Sequence, residues 1–217
     1  MTRPHRRAAP PADHRTMHEA VWTAARARAL LDDPARRAGE DPLALWRRVG
    51  LARGMRVADV GAGSGFYTFP AGRLVGPTGR VYAIDVAREL VALLRRRARA
   101  RGRTNVRPVL ARPGRIPLPD GSADRVLLAN VLHGIPPATV REAARLLAAG
   151  GQLVVVDWQK RATPRGPPVG HRLSRAAARR ALAAHGFTTV RQWAPGPSHY
   201  ALLCERSTPS ADPRSSP

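Results

Sequence analysis

One stretch of this chain concentrates the chemistry: "VADVGAGSGFYT", residues 57–68. An apolar run meets Asp59, and Gly61, Gly63 and Gly65 follow at alternate positions. Glycine admits backbone conformations and close approaches that a Cβ forbids, so such a turn is suited to holding a ligand against the main chain. Twenty residues past Gly65 stands Asp85, at the end of a second apolar run, "RVYAIDV". A carboxylate at that spacing can accept hydrogen bonds from both hydroxyls of a ribose. A dinucleotide fingerprint would need glycine at position 66, where this chain has Phe66, and no Gly-Lys-Ser/Thr follows to make a phosphate loop. Asp59 at the mouth repels a pyrophosphate and suits a cation, such as an ammonium or a sulfonium. Two further residues have reactive side chains. His133, in "NVLHGI", could take a proton from a hydroxyl or amine, as an imidazole does near neutral pH. Asp157, in "VVVDW", could orient an acceptor. Each also has a plain structural reading, the histidine packed at a strand-to-helix turn and the acid capping the next segment.

These residues need a frame, and the pattern from Met55 onward supplies one. Apolar segments at 56–60, 80–86, 105–110, 124–132 and 152–158 read as strands. Between them, 67–75, 88–100 and 137–151 read as helices, and Ser174 caps another. "TTVRQWA" and "HYALLCER" are two final strands separated by "PGPS". Alternating strands and helices predict an α/β, Rossmann-like doubly wound sheet, mostly parallel, closed by a C-terminal antiparallel hairpin. Ligands of such sheets bind beyond the carboxyl ends of the strands, where strand order reverses. The loop "KRATPRGPPVGHRLS" (160–174) follows the fifth strand and is long enough to form a lid, with His171 and Arg172 placed to meet an anionic acceptor. "GPSHY" is expected at the opposite end, which gives His199 and Tyr200 structural roles.

The 217 residues suffice for one α/β domain, placed at 51–204, after a helical segment at 20–50. A Pro- and Arg-rich arm at 1–19 and a Ser/Pro tail at 205–217 read as disordered. The single cysteine, Cys204, excludes an internal disulfide framework and a Cys-cluster zinc site. His14 and His18 are four apart with no third ligand nearby, so no metal is expected. No apolar run reaches the roughly 18–20 residues of a membrane helix, and the start lacks a signal-peptide core, so a cytoplasmic protein is expected. The net charge is +22, yet Lys160 is the one lysine. Arginine enriched together with Ala, Gly and Pro reads as compositional bias, with a polyanion partner such as RNA as the other reading. "RRRARARGR" (95–103) divides the same way, between a solvated helix end and a phosphate-binding stripe.

Taken in order, "VADVGAGSGFYT", "GRVYAIDV", "LPDGSADRVLLANVLHGI", "RLLAAGGQLVVVDW" and "HGF" resemble the class I S-adenosylmethionine-dependent methyltransferases, in the branch acting mostly on small molecules. The resemblance covers about residues 43–203 and implies the seven-stranded methyltransferase fold with S-adenosylmethionine as cofactor. It implies that Gly61, Ala62, Gly63, Ser64 and Gly65 shape the turn under the methionine portion, which Asp59 helps to hold. It implies that Asp85 binds the ribose hydroxyls, that Val86 lies beside the adenine, and that Asn130 brings a backbone carbonyl near the methionine group. The family often carries an acid for the adenine amino group after the third strand; here "VLARPGRI" puts Arg112 in that place. The implied partner is a small-molecule acceptor, and the implied assembly a monomer or homodimer. An RNA or protein methyltransferase, or a non-catalytic cofactor-binding module of the same fold, are the alternatives.

Overall fold

The structure, a computed structural model, describes residues 31–34, 36 and 39–207. The arm expected over 1–19, the His14/His18 pair and most of the tail lie outside the described residues. Seven strands form one sheet in the order β3-β2-β1-β4-β5-β7-β6. They are β1 (Arg56–Val60), β2 (Arg80–Asp85), β3 (Val106–Leu110), β4 (Ala123–Ala129), β5 (Leu147–Trp158), β6 (Phe187–Gly196) and β7 (His199–Arg206). The helices are α1 (Pro42–Arg48), α2 (Thr68–Val75), α3 (Arg88–Ala100), α4 (Pro137–Leu146) and α5 (Arg175–Ala183). No described helix is long and apolar enough to cross a membrane.

The central strands are mostly apolar on both sides because both sheet faces are covered. One face packs Val57, Leu127 and Val154 with Trp46 and Leu94. The other packs Ala58, Val126 and Val155 with Leu146 and Leu182. Strands β1 to β5 pair in parallel, and β7 pairs antiparallel with both β5 and β6. The chain winds outward through β2 and β3 and then crosses back to β4, so strand order reverses over the carboxyl ends of β1 and β4. That crevice is where such a sheet takes a ligand.

The structure shifts several expected boundaries. β4 stops at Ala129 because Asn130 has φ 58° and turns the chain aside. The helix expected to run to 151 ends at Leu146, and 147–151 join β5, with Leu147 opposite Ala123. Gly150 and Gly151 disfavour helix there. β7 runs to Arg206, and Glu205 faces Gln152, so a domain end at 204 falls inside a strand. The helix before the sheet is part of the same core. Asp41 caps α1 by accepting from the N–H groups of Leu43 and Ala44, and Trp46 is fully buried with its indole N–H 3.0 Å from the Tyr67 carbonyl.

The hairpin is the main correction. Trp158 pairs with His199, so the turn at 197–198 lies beside the carboxyl end of β5, on the ligand rim. α5 carries the chain back to the amino ends of the parallel strands, β6 therefore rises with β5, and the hairpin turns at the top. His199 and Tyr200 thus belong to the site end of the sheet.

Candidate active site

Gly61, Gly63 and Gly65 all hold positive φ, at 76°, 56° and 89°. The N–H groups of Gly61 and Ala62 both reach the Ile84 carbonyl at 2.9 Å, which ties the turn to β2. Gly61 is exposed on the rim, and a Cβ there would lie 2.6 Å from Val131 Cγ1. Asp85 fastens the same turn: Oδ2 accepts from the Gly63 N–H at 2.9 Å and Oδ1 from the Ala87 N–H at 3.0 Å. Its carboxylate therefore preorganises the cradle as well as standing where a ribose is expected. Ala62 and Ser64 are buried, and the Ser64 carbonyl accepts from Arg97 at 2.8 Å. Val86 is exposed next to Asp85. Arg112 is exposed in a tight turn with Arg115, held near the end of β2 by the Ala111 N–H on the Asp85 carbonyl.

Asp59 sits beneath this turn, 2 % exposed, and accepts a 2.5 Å hydrogen bond from the Thr68 hydroxyl. Burial pushes its carboxyl up, the Thr68 bond and the Arg36 charge oppose this, the Asp85 charge adds to it, and the result is about 6. A carboxyl so placed is a latent countercharge: a cation arriving at the turn favours its ionised form. The cradle that only glycine fits, the ribose-spaced acid and this latent anion suit an adenosyl sulfonium carrying an ammonium.

His133 and Asp157, separate in the sequence reading, form a pair across the ends of β4 and β5. His133 Nδ1 lies 2.8 Å from Asp157 Oδ1, and the His133 N–H donates to Oδ2 at 3.1 Å. The Trp158 N–H adds a 2.8 Å bond to Oδ1. Asp157 is 1 % exposed, while the His133 side chain keeps 16 % of its surface. A carboxylate on Nδ1–H fixes the ring and leaves the Nε2 lone pair as the free acceptor. This is the geometry of an oriented general base.

The sequence reading missed a second polar cluster. Glu40 is 3 % exposed and accepts from Arg36 Nε at 2.7 Å, the Tyr67 hydroxyl at 2.8 Å and Asn130 Nδ2 at 2.9 Å. Burial pushes its carboxyl up, but Arg36, with help from His199 and Tyr67, holds it below the usual range. His199 Nε2 lies 4.0 Å from Glu40 Oε1, and its ring packs on Trp158 with centroids 4.1 Å apart. Burial holds the His199 imidazole below its ordinary value, more than offsetting the charges of Glu40 and Asp157. Glu40 reads in sequence only as an acid before a helix, because Tyr67 and Asn130 lie 27 and 90 residues away.

Two segments roof the rim. In the loop after β5, Arg172 is 3 % exposed and donates to the carbonyls of Pro167, Gln159, Arg161 and Arg165 and to the Thr163 hydroxyl. The expectation that Arg172 meets an acceptor is thereby corrected: its donors are committed to shaping the loop. His171 is exposed in a short 3-10 turn, Val169–His171. Opposite, residues 31–33 reach both the helix behind the glycine turn and this loop. Asp32 pairs with Arg97 at 2.5 Å, Asp33 pairs with Arg165 at 3.0 Å, and Leu31 occupies the space a Cβ on Gly63 would need.

Comparison with known proteins places this geometry. Residues 58–155 match the methyltransferase domain family model. A SAM dependent methyltransferase of known structure from Aquifex aeolicus is 30 % identical, with a TM-score of 0.80 over 84 % of this chain and 98 % of that one. A ubiquinone/menaquinone biosynthesis C-methyltransferase, UbiE, from Pseudomonas putida is 34 % identical over 126 residues, 54 % of this chain and 48 % of that protein. A demethylmenaquinone methyltransferase from Geobacillus stearothermophilus is 28 % identical over 113 residues, 51 % of this chain and 48 % of its own. This chain thus spans about half the length of these two curated relatives. The match to the Aquifex aeolicus protein, 30 % identical over nearly its whole length, shows that the chain belongs to the S-adenosylmethionine-dependent methyltransferases.

Proposed function

We propose that this chain transfers a methyl group from S-adenosylmethionine to a small-molecule acceptor with an ionisable hydroxyl, with His133 as the general base. The observation that carries the reading is the His133–Asp157 pair at the carboxyl ends of β4 and β5, 2.8 Å between Nδ1 and Oδ1. The names of the curated relatives, a ubiquinone/menaquinone biosynthesis C-methyltransferase and a demethylmenaquinone methyltransferase, support an acceptor of the hydroquinone or phenol class. When bound, the cofactor supplies a methyl already activated on a sulfonium, so the protein's work is positioning and proton removal. Residues 61–65 and Asp85 would hold the adenosyl and methionine portions, with Asp59 beneath, the Asn130 carbonyl alongside, and Val86 and Arg112 at the adenine rim. His133 Nε2 would take the acceptor's proton, and Asp157 would stabilise the imidazolium that forms. The loop 159–174 and residues 31–33 would keep water from the reacting groups, with His171 at the outer edge of the acceptor side.

Calorimetric titration with S-adenosylhomocysteine tests the cofactor half. Micromolar binding that Asp85→Ala weakens at least tenfold, about 1.4 kcal/mol, is expected. No binding by the folded wild type would overturn the reading. Methyl transfer to a panel of hydroquinones and phenols, compared between wild type and His133→Ala, tests the acceptor half.

A further inference from the structure

Neither proton removal nor the cofactor cradle uses the side chains of Asn130 and His199, yet both have open valences. Asn130 Oδ1 and both ring nitrogens of His199 are buried without a hydrogen-bond partner. His199 as a whole is 2 % exposed. Buried polar atoms are nearly always paired, and an unpaired one is a cost that a matching ligand group removes. The two residues flank one carboxylate. Asn130 Nδ2 donates to Glu40 Oε2 at 2.9 Å, whereas His199 Nε2, 4.0 Å from Oε1, is beyond hydrogen-bond reach. Arg36 and Tyr67 already satisfy Glu40. What remains open is an acceptor on Asn130 and, on the neutral imidazole, one donor and one acceptor.

We propose that Asn130 and His199, set against Glu40, form a recognition pocket for a neutral hydroxyl on a planar ring of the acceptor. This deepens the methyl-transfer reading above and rests on it. A hydroxyl donates once and accepts as well, so it can satisfy Asn130 Oδ1 and the His199 N–H together. The local charge selects for neutrality. Arg36 balances Glu40, so a carboxylate would face Glu40 and an ammonium would face Arg36. Flat groups border the cluster: the Trp158 ring lies against His199, and the Arg36 guanidinium lies 4.0 Å from the Phe66 ring centroid. Asn130 is the one non-glycine with positive φ among the described residues, a strained conformation that a fold keeps where a side chain must be aimed. The pocket adjoins the base. Asn130 and His133 share the turn after β4, and Asp157 precedes the residue that pairs with His199. One polar group of the acceptor would be recognised here while another gives up its proton at His133.

The test is a titration at pH 7 with two ring probes, neutral 2-naphthol and anionic 2-naphthoate, on the full chain with and without saturating S-adenosylhomocysteine. Wild type should bind 2-naphthol and discriminate against 2-naphthoate. Asn130→Gly, which suits the positive φ, and His199→Phe should each weaken 2-naphthol binding about tenfold. His199→Gln, which keeps a donor and an acceptor, should recover part of the loss. The two His199 variants should keep the wild-type affinity for S-adenosylhomocysteine and should not lower Tm, a result a purely structural role would not give. Failure of wild type to bind 2-naphthol in either form, equal binding by wild type and variants, or preference for 2-naphthoate would overturn the pocket. Failure of the methyl-transfer reading shows separately, as absent S-adenosylhomocysteine binding.

Discussion

Asp59→Asn isolates the electrostatic cost of the proposed cofactor cradle. Asp59 is buried, and its carboxyl is pushed from an ordinary 3.8 to about 6. Between those values the folded protein holds a proton that the unfolded chain has released. Raising the pH through this window therefore lowers stability, and the loss is complete above about 6. A rise of about two units corresponds to about 3 kcal/mol. Asparagine has the same shape, its Oδ1 still accepts from Thr68, and it does not titrate. Denaturant melts of wild type and Asp59→Asn, run from pH 4 to 7.5 without ligand, measure the difference. The variant should gain about 3 kcal/mol on the wild type across that range. S-adenosylmethionine should also bind wild type more tightly as pH rises through about 6, and the variant should lose that slope. A stability gap independent of pH would refute the reasoning, because it would mean that burial does not disfavour the Asp59 anion.

Other substitutions probe the remaining parts. Asp157→Asn should lower the methyl-transfer rate by about 10²–10⁴, as expected for a disoriented base, with S-adenosylhomocysteine affinity unchanged by calorimetry. Gly61→Ala places a Cβ 2.6 Å from Val131 at φ 76°, so it should abolish measurable cofactor binding. In denaturant melts the same variant should lose about 1–3 kcal/mol. Arg172→Ala frees four loop carbonyls and a hydroxyl, and trypsin should then cut after Arg161 or Arg165 about tenfold faster while the sheet stays intact by circular dichroism. Trp46→Ala, which empties a fully buried site and removes the bond to Tyr67, should cost about 3–5 kcal/mol in melts.

Much of this protein is local in its sequence. β1, α3 and β7 fall where the apolar pattern puts them, because a buried strand's apolar run and a helix's apolar stripe are written in consecutive residues. The glycine turn is equally legible, since three positive φ values in five residues demand glycine at those positions. Asp85 follows from a fixed spacing within one βαβ unit. Where the reading failed, partners were far apart or direction was undetermined. The hairpin's end of the sheet depends on how many times the chain crosses it, and that count put His199 on the wrong side. Arg172 looked like an exposed cation because nothing in its neighbours shows that five acceptors would converge on it.

By itself, then, the sequence determined the alternating elements, the cradle and the acid beside it, because each is a property of neighbouring residues. Tertiary structure alone decided that His133 meets Asp157 and that Glu40 gathers Arg36, Tyr67 and Asn130 beside His199. Those groups sit on different strand ends and on a segment before the sheet. They become neighbours only once strand order and crossover direction bring the carboxyl ends of β1, β4, β5 and the start of β7 to one rim.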